Sequence, residues 1–136
     1  MTADTLLQYA EDKGYKVDYL MLQYSMSLAI PFDGGCICID PTKIETSSDE
    51  LERLAHELGH CETNAFYSPS TWECFGRMER KAEKWAIKKL VPKNELIGEL
   101  KDNRELWEIA EHFGVSQRFL IRAIEFYEIQ LRSSDL

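Results

Sequence analysis

His56-Glu57-Leu58-Gly59-His60 is the stretch on which the reading of this chain turns. Just upstream, Ser47 and Glu50 have the spacing of a capping box, in which the serine hydroxyl accepts from a backbone N–H and the glutamate reaches back. They predict a helix from near Ser48 to about Asn64. At 3.6 residues per turn, positions four apart lie about 40° apart and about 6 Å up the axis. His56 and His60 therefore point the same way, close enough to grip one ion, and Glu57 can reach a water held by that ion. This is the H-E-x-x-H arrangement, two imidazole ligands and one carboxylate as general base. Leu51, Leu54, Ala55, Leu58 and Cys61 share one arc of the same helix, and the histidines fall on roughly the opposite side. A pentapeptide also fits two solvent-facing histidines, so the rest of the chain has to separate the two readings.

A length of 136 residues suits a single domain, 1–136, with a sizeable core. The hydrophobic fraction of 44% and charged fraction of 29% are those of an ordinary globular protein. A net charge of −8 argues against unaided binding to nucleic acid or an anionic membrane. Met1 to Lys16 lacks the basic segment and apolar run of a signal peptide, and no apolar run approaches membrane-spanning length, so the expected location is the cytoplasm. In that compartment Cys36, Cys38, Cys61 and Cys74 are expected as free thiols. Cys36-x-Cys38 could belong to a metal site, but it lacks the usual C-x-x-C spacing, and buried small hydrophobes are the favoured reading.

Outward from the motif, Ala3 to Lys13 reads as an amphipathic helix with Leu6, Tyr9 and Ala10 on one face and Gly14 as its stop. Val17 to Leu22 suits a strand or an irregular segment. Ser27 to Phe32 and Cys36 to Asp40 read as the two strands of a hairpin. Asp33-Gly34-Gly35 supplies the positive φ its turn needs, Ile37 and Ile39 share one face, and Pro41 ends the second strand. Residues 65–74 read as a loop. A strong helix is expected from about Phe75 to Leu90, then short ones near Asn94–Leu100 and Asn103–His112, a break at Gly114, and a last helix capped by Ser116 and running to about Leu131.

Two histidines do not complete a catalytic zinc site; a third protein ligand is needed, with one position left to water. His112 is the one remaining histidine, so a carboxylate is the better candidate. On the 75–90 helix, with Met78 at zero, Phe75, Ala82, Trp85, Ala86 and Leu90 span an arc from about −20° to about 120°. Glu79 falls near 100°, inside that arc, and Glu83 near 140°, at its edge. Lys89 also falls inside the arc, where it can snorkel. A carboxylate in a buried arc needs a partner, and a metal provides one. Glu79 has no basic residue three or four positions away, whereas Glu83 has Arg80 three before it. Glu79 is therefore the candidate ligand. Glu83 is the candidate acceptor for the free ring N–H of a ligating histidine. The opposite assignment, Glu83 as ligand and Glu79 in support, stays open.

Three blocks in order, His56-Glu57-Leu58-Gly59-His60, then Glu79-Arg80-Lys81-Ala82-Glu83-Lys84-Trp85-Ala86, then Leu90-Val91-Pro92, resemble the ImmA/IrrE family of metallo-endopeptidases. That family shows H-E-L-G-H, a segment like E-x-x-A-D/N-x-F/W-A, and an L-L/M/V-P ending. Fainter similarity extends to Cys36–Asp40 and to the stretch from Ile109 to Ser116. One departure is Glu83, where the family usually carries the shorter Asp or Asn. The resemblance implies an α+β, mostly helical zincin-like domain, with Zn2+ held by His56, His60 and Glu79 and with Glu57 as catalytic base. It also implies a substrate, because relatives of this length, often from prophages and other mobile elements, act on helix-turn-helix repressors.

Three functions follow as expectations. The first is a zinc endopeptidase acting on such a repressor, with Tyr67 and His112 as weak candidates for stabilising the oxyanion. The second is a helix-turn-helix DNA-binding regulator, suggested by the rhythm of Ala110, Gly114, Leu120 and Ala123. Residues 101–136 carry five basic and seven acidic side chains, which suits a C-terminal helical hairpin that forms core better than one that reads a groove. The third is a peptidase-like scaffold that binds a repressor without cutting it.

Overall fold

The computed structural model describes residues 1–66 and 74–128. Its elements are α1 (Ala3–Asp12), β1 (Lys16–Tyr19), β2 (Ser27–Ile30), β3 (Cys36–Ile39), α2 (Ser47–Glu62), α3 (Phe75–Leu90), α4 (Lys93–Lys101), α5 (Leu106–Phe113) and α6 (Gln117–Phe126). The class is α+β, with six helices and a three-stranded sheet among the described residues.

The sheet has the order β1-β3-β2. The expected hairpin is present, with β2 antiparallel to β3 and Leu28 opposite Cys38. Its turn runs through Asp33 (φ 52°), Gly34 (87°) and Gly35 (126°), the left-handed conformations that glycine adopts at least cost. The sheet is mixed, however, because β1 adds a parallel strand on the other side of β3, Val17 opposite Ile37. A parallel neighbour needs a long connection, and here residues 20–35 include β2 itself, so no local signal marks the pairing. Ile37 and Ile39 are fully buried against the helices. Cys36 and Cys38 face the other way and are half-buried, which corrects their reading as buried hydrophobes; Cys61 alone is buried, and all four thiols are free.

Helix α2 begins one residue before the expected boundary. Thr46, in extended conformation, is the N-cap, accepting from Asp49 N at 3.1 Å, while Asp49 accepts from the Thr46 N–H. The capping box is thus Thr46/Asp49 and not Ser47/Glu50. Ser47 already has helical geometry, and Glu50 accepts instead from the Tyr19 hydroxyl at 2.8 Å. Helix α2 ends at Glu62, short of Asn64, which takes a left-handed φ of 52°.

Helix α2 packs against the sheet and α1 through Leu51, Leu54, Ala55 and Leu58, each at most 2% exposed. Burying each leucine contributes about 1.5–3 kcal/mol relative to exposure. The opposite face is covered too, by α3. A Cβ added at Gly59 would lie 2.5 Å from the carbonyl oxygen of Ala82 and 2.9 Å from its Cα, so the two helices meet backbone to backbone. On α3, Lys89 lies over the Tyr9 ring at 3.9 Å, which accounts for a lysine inside the apolar arc.

Asn103 adopts a left-handed φ of 56°, which delays α5 to Leu106. Gly114 terminates α5 at φ 76°, and Ser116 caps α6 by accepting from Phe119 N. Helices α5 and α6 bury Ile109, Ala110, Phe113, Leu120 and Ala123, so this hairpin builds core. The expected extension of the last helix to Leu131 lies outside the described residues. No helix among them is long and apolar enough to cross a membrane.

Candidate metal centre

The α2–α3 contact brings Glu79 and Glu83 of α3 onto the histidine face of α2. His56 Nε2 lies 2.6 Å from Glu79 Oε2, and His60 Nε2 lies 3.4 Å from Glu79 Oε1. The imidazole rings stand edge to face with centroids 5.0 Å apart. His56 and His60 are 8% and 4% exposed, and one donor atom from each of the three residues lies within 4.8 Å of the others. The histidines are thus off the apolar stripe of α2 yet buried, because α3 closes over them.

The donor set fits a divalent transition metal. Two ligands each about 2.0–2.1 Å from a tetrahedral ion lie roughly 3.3 Å apart, and the separations of 2.6 and 3.4 Å to Glu79 bracket that value. Two nitrogens and a carboxylate also match the ligand chemistry of zinc. The ring orientations suit the task. His60 Nδ1 sits 2.6 Å from the carbonyl oxygen of Ala65, so Nδ1 carries the proton it donates and Nε2 keeps its lone pair toward Glu79. His56 Nδ1 lies 3.5 Å from Glu83 Oε2.

Glu83 does not pair with Arg80. Its other oxygen, Oε1, lies 3.0 Å from Arg122 Nη2 on α6. Burial lowers the pKa of His56, but contact with Glu83 and the charges of Glu57 and Glu79 outweigh it, and the net shift is upward. Glu83 is held below the usual carboxylate range, first by His56 and then, against burial, by the charge of Arg122.

Glu57 is 5% exposed and borders a cleft of about 390 Å³ walled by β2, α2 and α3. Its Oε2 accepts a 2.5 Å hydrogen bond from the Ser27 hydroxyl at the start of β2. A serine at a strand start carries no sequence signal of such a contact, and only the pairing of β2 against α2 reveals it. Of the two weaker candidates, His112 does not join the group. His112 pairs with Glu95 at 2.8 Å and lines a separate surface depression with Trp107. Tyr67 lies outside the described residues.

A family model, peptidase M78, described as the IrrE N-terminal-like domain, matches residues 10–125. No match is found among curated proteins. A crystal structure of the metallopeptidase zymogen of Pyrococcus abyssi abylysin is similar at 26% identity, over 65% of this chain and 94% of that one, with a TM-score of 0.37.

Proposed function

Since the chain belongs to the ImmA/IrrE metallopeptidase family, that of the IrrE N-terminal-like domain, we propose that it is a zinc-dependent endopeptidase whose substrate is a helix-turn-helix repressor. The observation that carries the reading is the convergence of His56, His60 and Glu79 within 4.8 Å, with the Glu57 carboxylate bordering the same cleft. The repressor as substrate rests on the motif resemblance of residues 56–92.

In this reading His56 Nε2, His60 Nε2 and a Glu79 oxygen hold the ion. A zinc ion held there would supply Lewis acidity toward a peptide carbonyl and toward water. Glu57 would take a proton from the water whose oxygen adds to the carbonyl carbon, and pass it to the amine as the C–N bond breaks. The Ser27 hydroxyl occupies Oε2 of Glu57, which fixes the carboxylate and leaves Oε1 to exchange the proton. The Ala65 carbonyl locks the His60 tautomer. The β2 strand is a sheet edge along the cleft, so an extended peptide can lie beside it and place a carbonyl at the triad.

The test is cleavage of a purified helix-turn-helix repressor by zinc-loaded enzyme, compared with Glu57→Gln. Loss of a general base lowers the rate by about 10²–10⁴-fold, with zinc content unchanged. Cleavage by Glu57→Gln at the parent rate removes Glu57 from the mechanism. An intact repressor after incubation with fully loaded parent removes the repressor as substrate.

A further inference from the structure

The Glu83 carboxylate has two sides, and the proposed ligand set uses one of them. Oε2 faces His56 Nδ1 at 3.5 Å, and Oε1 faces Arg122 Nη2 at 3.0 Å. The basic neighbour on its own helix, Arg80, does not reach it among the described contacts; the cation comes from α6, 39 positions along the chain. Arg122 is itself braced. Its guanidinium carbon stands 5.4 Å from the centroid of the Phe119 ring, and Phe119 is 2% exposed. The start of α6 is tied to α2, since Ser116 N donates to Glu52 Oε2 at 2.7 Å, one turn before His56. Glu52, His56, Glu83, Ser116, Phe119 and Arg122 all line one cavity of about 560 Å³.

We infer that Arg122 is a positioning residue for the metal centre: from α6 it holds the Glu83 carboxylate against His56 Nδ1 and so sets the tautomer and direction of the His56 ring. This rests on the reading of His56, His60 and Glu79 as the ligand set. An ionised carboxylate facing Nδ1 keeps the proton there and frees the Nε2 lone pair for the ion, the role outer carboxylates play for ligating histidines. Glu83 has one more methylene, hence one more rotatable bond, than Asp or Asn at this place, so the shorter residue's fixed reach is lost. A guanidinium on the far oxygen restores it. The C-terminal hairpin thereby acts on the site although it contributes no ligand.

A bland alternative is an exposed ion pair, since the Arg122 side chain is 48% exposed, and such pairs contribute little to stability or to a neighbouring site. A zinc titration against a chromophoric chelator, with the metal-free unfolding midpoint measured in parallel, separates the two. Replacing outer partners of ligating histidines typically lowers metal affinity 10–100-fold. Arg122→Ala is expected to weaken zinc binding by about 10-fold while the metal-free midpoint stays near the parent's, and Arg122→Lys recovers part of the loss. Arg118→Ala, on the same helix without a carboxylate contact among the described residues, should bind as the parent does. On a Glu83→Gln background, Arg122→Ala should add nothing further, because it acts through Glu83. Unchanged affinity in Arg122→Ala, or an equal loss on the Glu83→Gln background, overturns the inference while the ligand set stands. A parent protein that binds no zinc overturns the ligand set, and the inference with it.

Discussion

Gly59 lies within α2, in its last turn, and replacing a helical glycine by alanine ordinarily stabilises by about 0.5–1 kcal/mol. The tertiary structure reverses that sign. The alanine Cβ would stand 2.5 Å from Ala82 O, 2.9 Å from Ala82 Cα and 3.0 Å from Ala82 C. All three are backbone atoms of α3, so no side chain can rotate away. The closest comfortable C···O approach is about 3.3 Å, and relief therefore requires α2 and α3 to part by about 0.8 Å. Glu79 lies one turn before Ala82 and moves with it, while His60 follows Gly59 directly. Metal sites tolerate about ±0.2 Å in ligand distance, so the separation acts directly on the 3.4 Å approach of His60 to Glu79. Overpacking costs about 1–3 kcal/mol, which leaves a net destabilisation of up to about 2.5 kcal/mol after the helix-propensity gain. Urea unfolding of the metal-free protein measures this, and chelator competition measures an expected loss of zinc affinity of about 10-fold or more. Gly98 in α4 is the internal control: nothing lies within 4 Å of its added Cβ, so Gly98→Ala should gain about 0.5–1 kcal/mol. If Gly59→Ala matched or exceeded the parent in stability, with zinc binding intact, the close-packed crossing would not be what holds Glu79 in place.

Glu79→Ala should abolish stoichiometric zinc at concentrations where Glu83→Ala still binds with about 10–100-fold weaker affinity; elemental analysis of both variants decides between the two glutamates. Ser27→Ala leaves a buried Glu57 oxygen without its hydroxyl donor and should lower stability by about 1–3 kcal/mol in urea unfolding; an unaltered midpoint would mean water replaces the hydroxyl at no cost. Asp40 accepts from the Thr42 hydroxyl, Leu22 N and Thr42 N, which hold its pKa down to about 2. The unfolded chain, with an aspartate near 3.9, then binds the proton more readily than the folded one. The contribution of Asp40 is therefore fully present above about pH 4 and lost as pH falls toward 2. An Asp40→Asn variant should show a flatter acid limb in its midpoint-versus-pH curve.

What a single segment encodes was legible. The helix around His56 and His60, the arc that singles out Glu79 on α3, the Ile37/Ile39 face of β3 and the stop at Gly114 all follow from periodicity and end signals spanning one or two turns. These are physical consequences of backbone geometry that neighbours in sequence share. Boundaries slipped by a residue where two adjacent side chains competed to cap, as Thr46 and Ser47 do. The parallel pairing of β1 with β3, the Ser27 hydroxyl on Glu57, the bare Gly59–Ala82 crossing and the reach of Arg122 to Glu83 were decided only in three dimensions. Each joins segments that no local rule relates, and each depends on how close two packed surfaces come, a distance set by the whole core. The sequence by itself determined which side chains could hold a metal; packing of α2 against α3 and α6 decided that they meet, and which neighbours orient them.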